Sequence, residues 1–118
     1  MNIEKLRDHC LKKNGVSEGF PFGEDVLIFK VLDKMFLGVR LAETPMTVNA
    51  KAKPERAIEL REKYEAVQPG YHMNKKHWNT ITLDGSIPDK TILGWIDDSY
   101  MLIASGLKKA QRAELGLE

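Results

Sequence analysis

Three short runs of alternating apolar residues set the strongest limit on how this chain can fold: Asp25 to Val31, Met35 to Leu41 and Met46 to Ala52. Only Leu32-Asp33-Lys34 separates the first two, so they read as a hairpin, and the third run follows Thr44-Pro45. Side chains alternate across a strand with period two. That period assigns Leu27, Phe29 and Val31, then Met35, Leu37, Val39 and Leu41, then Met46, Val48 and Ala50 to one face. The other face takes Val26, Ile28 and Lys30, then Phe36, Gly38 and Arg40, then Thr47, Asn49 and Lys51. One side is core and the other is mixed, with three cations. Antiparallel sheets covered by helices on one face only show this alternation, so a two-layer α+β sandwich is the expected architecture.

Helical spacing supplies the covering layer. Ile3, Leu6, Cys10 and Leu11 follow Asn2, a suitable N-cap, and Asn14-Gly15 stops that helix. Pro54 opens a second helix, whose stripe of Ala57, Ile58, Leu60 and Tyr64 runs among charged residues. Val67 to Gly70 reads as a turn, after which Trp78 to Asp84 alternates again with Asn79, Ile81 and Leu83 inward. Tyr71-His72-Met73 is then expected to pair with this strand, leaving Asn74 to His77 as a hairpin tip or wing. Ser86-Ile87-Pro88-Asp89 has capping-box spacing and opens the longest helix, to about Ser105, with Ile92, Trp95 or Ile96, Ser99, Tyr100 and Ile103 inward. The order is thus α-β-β-β-α-β-β-α, followed by a short final helix within Leu107 to Leu115. The 118 residues, 42% of them hydrophobic, suit a single domain spanning 1–118.

The densest chemistry lies in Tyr71 to Thr80, which holds two lysines, two histidines, two asparagines and a tryptophan without a carboxylate. Lysines bind phosphate, an indole stacks on a base or sugar, and an asparagine amide reads a base edge. A solvated loop leading into a strand has the same composition. Net charge is only +1 and the pI about 7.8, so any anion site is a local patch.

The block Tyr71-His72-Met73-Asn74-Lys75-Lys76-His77-Trp78-Asn79-Thr80, with Phe20-Pro21-Phe22-Gly23 before it and Leu83-Asp84-Gly85-Ser86 and Pro88 after it, resembles the MmcQ/YjbR family in content and order. The likeness runs over nearly the whole chain, to Gly106-Leu107-Lys108-Lys109. It implies a small two-layer domain similar to secretion-chaperone and frataxin-like folds, of the kind described as double-wing DNA-binding proteins. That functional label rests on fold analogy.

The expected function is therefore non-enzymatic DNA binding. Asn74, Lys75, Lys76, His77 and Trp78 form the wing, helped by Lys30, Arg40 or Lys51 on the mixed sheet face. Two rivals remain: a protein- or peptide-interaction module on the open face around Val26, Ile28, Phe36 and Trp78, and a small-ligand pocket walled by Phe20, Phe22, His72 and Trp78. His72 and His77 lack a third ligand and no paired-cysteine spacing exists, so neither metal nor cofactor is expected. The acids are scattered among bases, unlike the acidic ridge that an iron carrier would want. No phosphate-cradling glycine loop, nucleophile elbow or working carboxylate pair is present. The lone Cys10 fits a reducing compartment, and with no signal-like start or long apolar run, cytoplasm is the default and no membrane association is expected.

Overall fold

Helix α1 (Ile3–Leu11) starts where Asn2 Oδ1 accepts the Lys5 backbone N–H at 2.8 Å, satisfying one of the open donors of the first turn. The computed structural model describes residues 1–70 and 73–117. After α1 come β1 (Val16–Gly19), β2 (Val26–Val31), β3 (Lys34–Arg40), β4 (Thr47–Lys51), α2 (Pro54–Lys63), β5 (Val67–Pro69), β6 (Trp78–Thr82), α3 (Asp89–Ser105) and α4 (Lys109–Glu114). The six strands form one antiparallel sheet in the order β1-β2-β3-β4-β6-β5.

The inward strand residues Leu27, Phe29, Val31, Leu37, Val39, Val48, Ala50 and Ile81 join Leu6 and Cys10 of α1, Leu60 of α2 and the Ile92, Trp95, Ile96, Tyr100 stripe of α3 in one apolar cluster. The result is the expected two-layer α+β sandwich. Ile28 and Trp78 are also buried, but they stand outside that cluster on the outward face.

Four local expectations need correction. Val16–Gly19, which has no place in the expected element order, is an edge strand paired with Gly19 opposite Ile28 and Val16 opposite Val31. It is too short and glycine-bounded to announce itself without its partner. Val67–Pro69, taken as a turn, is the strand that pairs with β6, and Gly70 N–H continues the ladder to the Trp78 carbonyl at 2.9 Å. Of the 71–73 arm expected to pair there, Tyr71 and His72 lie outside the described residues.

A register shift between Phe29 and Lys30 reverses the assignment at the start of β3. Phe29 faces Leu37 while Lys30 faces Met35, which leaves Phe36 as the extra residue of a β-bulge. Phe36 therefore turns inward, is 0% exposed and meets Tyr100 edge-on at 5.4 Å, while Met35 turns outward. Finally, α3 has Pro88 as N-cap with no side-chain cap bond, and Ser86 Oγ instead donates to Asp84 Oδ1 at 2.6 Å. Capping-box spacing is met in sequence, but the chain turns before it can be used.

Candidate functional site

The strand register sorts the outward side chains into rows. Ser17, Lys30 and Met35 lie across β1, β2 and β3, and Lys51 lies opposite Trp78 across β4 and β6 at the same end of the sheet. At the other end, Val26 faces Arg40, Arg40 faces Thr47 and Thr47 faces Thr82. Between them lie Ile28, Gly38, Asn49, Thr80 and Gln68, with Thr80 Oγ1 donating to Asn49 Oδ1 at 2.5 Å. No outward strand position is acidic.

The connections extend this into a separation of charge along the strands. At the Lys30 end stand Lys34, Lys51, Lys53, Lys75 and Lys76, with Asp33 as a carboxylate in the adjoining β2–β3 turn and Glu55 in the first turn of α2 beside Lys53. At the Arg40 end stand Glu24, Asp25, Glu43, Glu65 and Asp84, with Arg40 and Lys63 as cations among them. Backbone bonds fix these loops in place: Leu41 N–H donates to Asp25 O, Thr82 N–H to Ala66 O and Ala52 N–H to His77 O. A chain with a net charge of +1 thus has a basic end and an acidic end.

Asn74 to His77 form a compact turn. The Asn74 carbonyl accepts from His77 N at 3.1 Å and Trp78 N at 2.9 Å, and Asn74 Oδ1 accepts from Lys76 N at 3.0 Å. The turn is tied to α2 by Arg61, whose guanidinium donates to the carbonyl oxygens of Lys75 and Trp78 and to Asn79 Oδ1 at 2.6 Å. Asn79 is 2% exposed, and its amide nitrogen donates to the Ala57 carbonyl at 3.2 Å. Sequence reading placed Asn79 inward but missed Arg61. A buried amide needs partners, and that requirement was the signal available.

Of the predicted interface residues, Lys75 and Lys76 are exposed beside the turn, with Lys30 and Lys51 at the same end of the sheet. Arg40 is separated from them: it lies at the acidic end, where its Nε donates to Glu43 Oε1 at 2.9 Å. Asn74 is occupied in ordering its own turn. Trp78 faces outward as alternation predicts, yet is only 9% exposed, so its ring is a floor rather than an open stacking surface. A Cβ on Gly70 would come to 3.0 Å from the Trp78 carbonyl oxygen, so a larger residue there would have to push the neighbouring backbone back by a few tenths of an ångström.

The rings that do stand open are Phe20 and Phe22, at 51% and 76%. Phe20 lies beside Ser17, Ile28 and Lys30 at the β1–β2 edge. Phe36, expected on the open face, is core. The expected pocket of Phe20, Phe22, His72 and Trp78 includes His72, which lies outside the described residues. A cleft of about 580 Å³ is on the helix side between α2 and α3. Among the described residues, no three His, Cys, Asp or Glu side chains gather as metal ligands, and no helix is long and apolar enough to cross a membrane.

Comparison with known proteins matches residues 11–102 to the YjbR family model. The chain belongs to the YjbR family. The Escherichia coli K12 protein YjbR is 35% identical over 112 residues, covering 95% of both chains. The YbdF protein of Escherichia coli O157:H7 is 35% identical over 91 residues, covering 76% of this chain and 74% of its own. The crystal structure of a Deinococcus radiodurans protein with the DUF419 domain superposes with a TM-score of 0.91 at 39% identity, covering 99% of this chain and 89% of that one. A Pseudomonas syringae protein has a TM-score of 0.75 at 30% identity, over 86% and 98% of the respective chains. The YjbR-family relationship therefore covers the sheet, the 73–78 turn and α3 together.

Proposed function

We propose that the basic end of the outward sheet face binds the phosphate backbone of DNA, without catalysing a reaction. The observation that carries this reading is the charge separation along the strands. Lys30, Lys51 and Lys76 lie at one end, among outward strand positions of which none is acidic and away from the Glu43 carboxylate that pairs Arg40 at the other end, and none of the three makes an ion pair among the described residues. Ammonium groups left open to solvent are the groups that exchange condensed counterions for phosphates. The Ser17 hydroxyl and the Asn49 amide nitrogen between them supply neutral donors for phosphate and sugar oxygens. Exposed Phe20 beside Lys30 adds a ring on which an unpaired base can stack, which favours single strands over duplex.

Three to five lysines neutralise few phosphates, so the interaction is expected to be weak, with dissociation constants of roughly 10⁻⁴ to 10⁻⁶ M at physiological salt. The test is a fluorescence-anisotropy titration with short single-stranded and duplex DNA at several salt concentrations. Replacing Lys30 and Lys76 together by alanine should lower the log–log salt slope on duplex by about two, since each lost contact removes about 0.9. Arg40→Ala, at the acidic end, should leave the slope where it was. Failure of the unmodified protein to bind at low salt, or an equal loss from Arg40→Ala, sinks this reading. A protein-interaction surface is then favoured, because Phe20 exposes an apolar ring next to buried Ile28 and Phe22 exposes a second ring.

A further inference from the structure

The cleft of about 580 Å³ lies on the other side of the sheet. Helix α2 packs over β5 and β6 and α3 over β2, β3 and β4, so the two helices stand apart above the β4–β6 pairing. The floor of that gap is Ala50, paired with Asn79, and then Ile81. An alanine at the centre of the floor leaves open the space that a larger side chain would fill. What remains is a cleft of about 580 Å³, inside the roughly 300–1,000 Å³ range of small-molecule sites.

Its walls are apolar, with Leu60 on α2 and Trp95 and Met101 on α3, and Met101 is left 47% exposed. Its rim is basic. Lys53, the N-cap residue of α2, makes no ion pair among the described residues, and its side chain makes no capping bond. Arg56 donates to Glu59 through Nη1 and keeps the other donors of its guanidinium. Both stand in the first turn of α2, where the helix dipole also favours an anion. Asp98 is the one carboxylate among the lining residues.

We infer that this cleft binds a small apolar monoanion of the medium-chain acyl carboxylate class. Its chain lies against Leu60, Trp95 and Met101, and its carboxylate is held between Lys53 and Arg56. The apolar walls recognise the chain by area, and the two cations recognise the head by charge-assisted hydrogen bonds. The inference does not depend on nucleic-acid binding by the outward face.

The test uses Trp78→Phe protein, in which Trp95 is the sole indole and lines the cleft. Decanoate should change Trp95 emission saturably, and decanol, which has the same chain without the charge, should bind about tenfold more weakly or worse. Replacing Lys53 and Arg56 together by glutamine in that background should bring decanoate down to the affinity of decanol while leaving decanol unchanged. Ala50→Leu, which fills the floor, should weaken both. Should Ala50→Leu fail to fold, the double-glutamine variant decides by itself, because both of its sites are at the rim. The inference is overturned by the absence of a saturable response to decanoate, by equal affinity for the alcohol, or by unchanged decanoate affinity in the double-glutamine variant.

Discussion

Arg61 and Asn79 show how one pair of residues fixes the placement of the most charged turn. Asn79 is buried on the inward face, and Arg61 satisfies its Oδ1 while holding the carbonyls of Lys75 and Trp78. Removing one partner leaves a buried acceptor without a bond, so Arg61→Ala should cost about 1–3 kcal/mol, read as a lowered urea midpoint. Exposed Lys76→Ala should shift the same midpoint by no more than about 0.5 kcal/mol. Cys10 has the opposite character. Burial pushes its thiol up to about 12, outweighing the attraction of nearby Lys13. A group that is 0% exposed and protonated does not attack disulfide reagents. Labelling by an aromatic disulfide should therefore be slow in native protein and become fast only when urea unfolds it.

At the scale of elements, the bulge in β3 decides which ring stabilises the core. Alternation alone puts Phe36 with Lys30 and Arg40 on the open face; the extra residue puts it against Phe29 and Tyr100. Phe36→Ala should accordingly cost about 3–5 kcal/mol in urea unfolding, as for a core phenylalanine. Met35→Ala, one residue earlier and outward, should cost about 1 kcal/mol. Equal effects would mean that the register shift is absent in solution. A hydrogen bond from Ser99 links the same bulge to α3, because its hydroxyl donates to the Phe36 carbonyl at 2.6 Å and accepts from Lys51 N at 2.8 Å. A serine in an apolar helix stripe thus ties the helix to two strands.

The whole molecule carries paired carboxylates that set its response to pH. The hydrogen bond from Arg7 holds Glu18 below its ordinary value. At Asp97 burial works the other way, but hydrogen bonds from Lys13 and His9 outweigh it and the carboxyl is also lowered. Asp84 is lowered by Ser86, and Asp89 by Lys5. A carboxyl lowered on folding stabilises the protein above the ordinary carboxylate range, and that contribution is lost as pH falls through the folded values. The Cys10 thiol and Tyr100 hydroxyl are raised by burial, so their contribution is full below the ordinary values and fades as pH rises through the folded ones. Stability against urea should therefore be flat near neutrality and decline below roughly pH 4 and above roughly pH 8.5. Glu18→Gln should remove part of the acid limb, by about 0.2–1 kcal/mol at pH 7, because the pair is partly exposed. An acid limb unchanged by Glu18→Gln would rule out that assignment.

Sequence alone determined the layers. The period-two runs at β2, β3, β4 and β6 and the helical stripes at α1 and α3 are local consequences of which residues must avoid water, and they needed no partner to be legible. The acid-free turn was legible too, because composition is a property of the chain itself. Tertiary structure decided everything that depends on pairing. β1 and β5 exist as strands because β2 and β6 offer them hydrogen bonds, and Phe36 is inward because one residue more is needed to keep register with β2. Arg40 parts company with Lys30 and Lys51 because antiparallel neighbours reverse direction, so residues with similar strand positions finish at opposite ends of the sheet. The cleft between α2 and α3 was beyond reach for the same reason. It arises where two helices sit on different strands over a small paired Ala50, and no local pattern encodes a space between elements.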